Sequence, residues 1–247
     1  MKFLYRLLDR SFRALGYTVV PSWKLEALPL ERHLSQLFDH LGIRYVLDVG
    51  ANAGQYKDFL RNRVMFKGEI HSFEPLSSLV KVLKEKVTGD PAWHIHAHAV
   101  GSENTSLEIN VMSRDTFSSF LQPNNAESAD FAESNTVNSK ELVSVKRLDD
   151  VIRDWKPADL QATYLKVDTQ GFDIEVLRGA PNLLRSIRGL QIELSILPIY
   201  QGTPKYLDML RQLNDWGFHI SGLFPISHDS HLRAVEFDCV MVSMNNR

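Results

Sequence analysis

Short unbroken apolar runs alternate with segments of helical periodicity along most of this chain. Residues 45–50, 69–73, 93–100, 163–167 and 190–194 read as strands. Residues 30–41, 55–62, 76–87, 174–184 and 205–216 repeat their apolar side chains at helical spacing. Strands that are apolar on both faces belong in a parallel sheet covered by helices on both sides. The order strand, helix, strand therefore selects a doubly wound α/β fold. The last two runs, 218–223 and 235–242, have no helix between them and predict an antiparallel hairpin at one edge. The alternation breaks in the middle, where strand-like runs at 107–111 and 142–145 flank a Ser/Asn/Asp-rich stretch over 113–139. A connection of that length inside a compact domain is usually functional or disordered. The expected organisation is an N-terminal helix and connection over 1–29, then one domain over 30–247 carrying an insertion near 104–147.

Composition narrows the partners. With 44% hydrophobic and 23% charged residues the 247-residue chain has an ordinary globular balance, and a formal net charge of -2 supplies no positive field for nucleic acid. Its single cysteine, Cys239, excludes an intrachain disulfide, which fits a reducing, cytoplasmic setting, and its apolar surroundings predict a buried, inert thiol. No stretch approaches the roughly 20 apolar residues of a membrane span. Residues 1–17 place Phe3, Leu4, Leu7, Leu8, Phe12 and Leu15 at helical spacing, with Lys2, Arg6, Arg10 and Arg13 largely elsewhere on the wheel. Two readings stay open for that segment: a basic amphipathic helix touching the inner face of an anionic membrane, or a helix packed on the domain or on a second subunit of an oligomer.

The strand, tight turn and helix over 46–56 carry the first chemical signal. Gly50 and Gly54 remove side chains where the backbone must turn and a ligand approach. Asn52, which tolerates left-handed backbone, brings an amide that can bond to ligand or loop. The following helix N-terminus suits an anionic group. Glu74, at the end of the second strand, is placed to accept hydrogen bonds from both hydroxyls of a ribose. Together these features point to a cofactor containing adenosine. The turn lacks the third glycine of a dinucleotide fingerprint. Asp48, beside the turn, would repel a pyrophosphate but can receive the ammonium of a methionine moiety. The charge logic favours S-adenosylmethionine over a nicotinamide cofactor.

With these residues in view, the sequence resembles the FkbM family of methyltransferases. The resemblance rests on Leu47-Asp-Val-Gly-Ala-Asn-Ala-Gly54, on Phe73-Glu-Pro75 and on Leu165-Lys-Val-Asp-Thr-Gln-Gly-Phe-Asp-Ile-Glu-Val-Leu-Arg-Gly-Ala180, and it extends over roughly 45–242. It implies a Rossmann-like methyltransferase fold, S-adenosylmethionine as methyl donor, and a hydroxyl acceptor, frequently on a sugar of a polysaccharide or natural product. The chain departs from the family at Thr169-Gln170, where many members carry a second acidic residue.

Asp168 and Glu193 end the fourth and fifth strands on the rim where open α/β sheets bind ligands. Asp168 is the first candidate for general base or acceptor anchor, and Glu193 the second. Two such carboxylates can orient a polyol or hold a divalent cation, although no metal-ligand pattern is visible in the sequence. His94, His96 and His98 alternate on one strand, a spacing seen in zinc sites, but no compact cluster of further ligands is visible and a polar edge strand accounts for them better. Ser118 and Ser119, inside the insertion, are candidates for a lid over the acceptor. The competing readings are a nicotinamide-dependent oxidoreductase on the same fold and a non-catalytic adaptor at a membrane surface.

Overall fold

The structure, a computed structural model, describes residues 27–125 and 131–244, together with Phe12, Gly16, Tyr17 and Leu25. Both readings of the 1–17 segment lie outside the described residues. Helix α1 (Leu28–Leu41) leads into β1 (Tyr45–Val49). Then follow α2 (Gln55–Phe59), extended by a π turn over Leu60–Val64, β2 (Glu69–Phe73), α3 (Ser77–Val87) and β3 (Trp93–His96). The middle of the chain contributes β4 (Ala99–Val100), β5 (Thr105–Met112) and β6 (Val137–Lys146). Short helices α4 (Leu148–Val151) and α5 (Pro157–Gln161) precede β7 (Thr163–Val167), α6 (Asp173–Arg178), α7 (Pro181–Ser186) and β8 (Gly189–Ser195). Helix α8 (Tyr206–Asp215) and the strands β9 (Phe218–His228) and β10 (Ala234–Ser243) complete the described fold.

Seven strands form one sheet in the order β3-β2-β1-β7-β8-β10-β9. The first five run parallel, and β10 pairs antiparallel with both β8 and β9, giving the expected edge hairpin. Alternation along the strands divides the core. Leu47, Val49, Leu165, Val167 and Ile192 face α6, α7 and α8, while Val46, Ile70 and Tyr164 face α1, α2 and α3. Each such fully buried aliphatic side chain contributes about 1.5–3 kcal/mol. The strand order reverses at β1, where β2 leaves on one side and β7 on the other, so the carboxyl ends of these strands border the ligand crevice of the fold.

Two expectations need correction. Residues 93–100 are not one strand. After β3 the His98 N–H donates to His96 O at 3.0 Å, a tight bend, and β4 then pairs parallel with β6 in a separate three-stranded sheet, β4-β6-β5. The helix expected over 174–184 is two helices. A Cβ on Gly179 would lie 2.0 Å from Gly101 O, so the chain passes too close to β4 for a regular helix, and Pro181 starts a new one. The insertion is better ordered than its composition suggests: β5 and β6 pair antiparallel from Thr105↔Val145 to Met112↔Val137. Cys239 is fully buried, and burial pushes its thiol up to about 12, so it is the inert core residue expected.

Candidate active site

The turn after β1 follows from backbone geometry. Gly50, Asn52 and Gly54 all have positive φ, at 84°, 47° and 86°. A Cβ on Gly50 would lie 1.8 Å from Asp168 O, because the chains leaving β1 and β7 cross there. Only glycine fits that approach. Gly50→Ala is therefore expected to lose more than the roughly 1–2 kcal/mol of a left-handed side chain, with a clear drop in thermal unfolding midpoint. A midpoint equal to that of the parent protein would overturn this account of the turn.

Asn52 acts on the loop itself, its Oδ1 accepting from the Ala53 N–H at 2.7 Å and from Gln55 Nε2 at 3.0 Å. Gly54 starts α2 against Trp93 and Leu83 and is not among the residues lining the cavity. Glu74 is buried, with Oε2 accepting from the Asn52 N–H at 2.8 Å and Oε1 from the Leu76 N–H at 3.0 Å. Burial raises its carboxyl to about 7 against the pull of those two bonds.

Asp48, read from the sequence as a candidate contact for the methionine ammonium, lies behind the site and is not part of the cavity lining. It is 0% exposed. Register pairs Asp48 with Ser72 on one side and Lys166 on the other, and on neighbouring parallel strands such residues share a face. Ser72 Oγ donates to Asp48 Oδ2 at 3.0 Å, and Lys166 Nζ lies 3.3 Å from Oδ1. Lys166 Nζ also lies 3.2 Å from Asp168 Oδ2 and donates to Gly50 O at 3.3 Å. Burial alone would lower the ammonium, but Asp168 and Asp48 outweigh it and hold it raised. Burial pushes Asp48 up despite the same lysine. The two shifts pull the pair in opposite directions; the protonated ammonium prevails, because two carboxylates contact it. Asp48 thus anchors Lys166 from below, and the lysine ties the β1 turn to the end of β7.

Gly50, Asn52, Glu74, Asp168 and Glu193 line a single cavity of about 700 Å³. Asp168 and Glu193 are bridged by Gln170, whose Nε2 donates to Asp168 Oδ1 at 3.0 Å and to Glu193 Oε1 at 3.2 Å. Gln170 has φ 53° and is held in place: Tyr200 Oη donates to its Oε1 at 2.9 Å and Ser119 Oγ to its backbone O at 2.7 Å. Glutamine, where many FkbM proteins carry an acid, therefore joins the two candidate carboxylates with a neutral amide. The antiparallel strand β10 adds Glu236 and Asp238 to the same wall, with Asp238 opposite Glu193. Neither was foreseen, since only the reversed direction of β10 brings its first half to this edge. Glu193 is raised well above the ordinary carboxylate range by burial and then by Asp168, Glu236 and Asp173. Glu236 is raised by burial, opposed by its neighbour Glu193 and by a hydrogen bond from Ser227. Asp238 is raised to about 6 by burial, opposed by the 2.7 Å bond it accepts from Gln191 Nε2. Phe117, Ser118 and Phe120 of the insertion line the same cavity, whereas Ser119 does not, its hydroxyl being turned to Gln170 O.

The sheet order, the positive-φ turn after β1 and the acid after β2 define a methyltransferase of the Rossmann-like class. Residues 48–220 match the Methyltransferase FkbM domain, and the chain belongs to that family. The matched domain is a methyltransferase domain, which speaks against the nicotinamide reading. No curated protein sequence matches it. Among solved structures it is similar to methyltransferase FkbM from Methylobacillus flagellatus KT, at 17% identity and TM-score 0.50, over 81% of this chain and 43% of that one. The chain thus spans less than half the length of that protein. It is also similar to Aeropyrum pernix fibrillarin with bound S-adenosyl-L-methionine, at 11% identity and TM-score 0.46, over 81% of this chain and 66% of that one. The magnesium protoporphyrin IX methyltransferase ChlM from Synechocystis PCC 6803 is similar at 11% identity and TM-score 0.43, over 96% of this chain and 90% of that one. At these identities the likeness is one of fold. Among the described residues no helix is long and apolar enough to cross a membrane.

Proposed function

We propose that the chain transfers a methyl group from S-adenosylmethionine to a hydroxyl of a polyhydroxylated acceptor, of the sugar or glycan class. The observation that carries this reading is that the β1 turn with Glu74 and the rim of Asp168, Glu193, Glu236 and Asp238 open into one cavity. Its volume of about 700 Å³ lies within the range of small-molecule sites, roughly 300–1,000 Å³. Pro75, Leu76, Leu79, Ala99 and Ile109 give one end an apolar wall suited to adenine, and Glu74 stands beside it to take the ribose hydroxyls. The other end offers carboxyls and the amides of Gln170 and Gln191. Raised carboxyls carry less negative charge near neutral pH and both donate and accept, which suits a neutral polyol.

The cofactor supplies a methyl on a cationic sulfur, so the protein's work is alignment and removal of one proton. The rim and the insertion hold the acceptor, and orientation of this kind supplies about 7–11 kcal/mol in favourable cases. With S-adenosylmethionine bound, its methyl would pass from sulfur to the acceptor oxygen, and a rim carboxylate, Asp168 first, would take the hydroxyl proton.

Titration calorimetry with S-adenosylmethionine and S-adenosylhomocysteine tests the cofactor end. Ribose hydroxyls donating to Glu74 favour its ionised form, so a carboxyl at about 7 must release its proton on binding. The folded pKa exceeds the unfolded one, so ionising Glu74 disfavours the empty fold as pH rises through about 7, and a bound ribose offsets that penalty. Affinity is expected to fall as pH drops below 7, approaching about tenfold per unit, and Glu74→Gln should flatten the profile. A profile that stays steep in folded Glu74→Gln removes Glu74 from the ribose.

A further inference from the structure

The histidines that the active site leaves unused converge on a carboxylate. Glu69 and His71 are two apart on β2 and share a face, and His94 lies in register beside His71 on β3. Glu69 Oε2 lies 3.4 Å from His94 Nε2 and 3.7 Å from His71 Nε2. One ligand atom from each of the three residues falls within 4.8 Å of the other two, the sole His/Cys/Asp/Glu group so arranged among the described residues. Two atoms bonded at 2.0–2.1 Å to a tetrahedral zinc are about 3.3 Å apart, close to two of these separations.

The surroundings are those of a ligand set rather than of a polar edge. His71 Nε2 is buried and has no hydrogen-bond partner, although its other nitrogen, Nδ1, lies 3.1 Å from His96 Nε2. If the proton sits on Nδ1, His71 donates it to His96 and presents a bare Nε2 lone pair toward Glu69. That is the tautomer a metal-binding imidazole adopts when a neighbour holds its far side. The edge of Trp155 closes one side at a ring separation of 4.9 Å. Glu69 and His94 are 48% and 43% exposed, leaving an entry path and room for water.

We propose that Glu69, His71 and His94 form a binding site for a zinc-class divalent cation, with His96 as its positioning residue and a fourth position open to solvent. Ion binding turns the exposed His94 ring out of its present stack on His71, whose planes meet at 28°. The ion joins the start of β2 to β3. Glu74, which would hold the ribose, lies three residues beyond His71, roughly 10 Å along the strand. The proposed ion therefore stabilises the edge of the sheet that carries the cofactor loop without touching the methyl-transfer chemistry.

The test loads the untagged full chain with cobalt(II) as a spectroscopic probe and then displaces it with zinc. One cobalt per chain, with the visible absorption of a four-coordinate ion that zinc abolishes, is expected. His94→Ala should lose this signal while keeping the parent's fold, and His96→Ala should weaken binding about 10–100-fold. His219→Ala, at an exposed histidine elsewhere, should bind as the parent does. No saturable cobalt spectrum, or equal affinity in His94→Ala and parent, overturns the proposal. Neither readout depends on methyl transfer, so it stands or falls apart from the proposed acceptor.

Discussion

Lys166→Met is expected to destabilise the protein by about 3–5 kcal/mol, because it strands the fully buried Asp48 carboxylate without a cation. At roughly 2–4 °C per kcal/mol for a chain of this size, the thermal midpoint should fall by about 6–20 °C. The sign with pH follows from burial. Asp48 is already raised in the folded protein, and losing Lys166 raises it further. A carboxyl raised on folding disfavours the fold increasingly as pH climbs through its titration, so the deficit should widen from pH 5 to pH 8 and narrow on acidification. Asp48→Asn placed on top should recover most of the loss, since Asn still accepts from Ser72 and buries no charge. Thermal unfolding of the single and double variants at both pH values measures it. A single variant within about 1 kcal/mol of the parent would mean that water, not Lys166, neutralises Asp48.

The same lysine shows why part of the site was legible in the sequence and part was not. The runs that became β1, β2, β7 and β8 are apolar because both faces are covered, and their ends therefore placed Gly50, Glu74, Asp168 and Glu193 on one rim. The pairing of Asp48 with Lys166 joins strands more than a hundred residues apart and depends on register, which no local pattern encodes. Asp48 was thus read as a ligand contact when its partner was the neighbouring strand. Glu236 and Asp238 were invisible for a related reason: their place on the rim follows from the antiparallel direction of β10. Glu69 escaped notice beside His94 for the same cause, since the parallel register of β2 and β3 brings them together. Within the insertion the strands at 107–111 and 142–145 were legible, but not their full extent to Thr105–Met112 and Val137–Lys146, because much of the added length is polar and exposed.

Asp168→Asn is expected to lower the rate of methyl transfer by about 10²–10⁴ while leaving the fold and cofactor affinity near those of the parent. The substitution keeps the shape of the side chain, and Lys166 retains Asp48 as a counter-charge. Asn can still meet Gln170 once the amide is turned, so the link to Glu193 can persist. What disappears is the carboxylate proposed to take the acceptor's proton. A second consequence separates this role from a merely structural one. Asp168 is among the charges that push Glu193 up, next in weight after burial. Removing it relaxes Glu193 toward the ordinary carboxylate range, so the acidic limb of the residual activity should move to lower pH. Single-turnover methyl transfer across pH, with cofactor affinity measured alongside, reads both effects. Turnover within a factor of three of the parent would transfer the base to Glu193. That residue stands beside Glu236 and Asp168 on the same wall of the cavity.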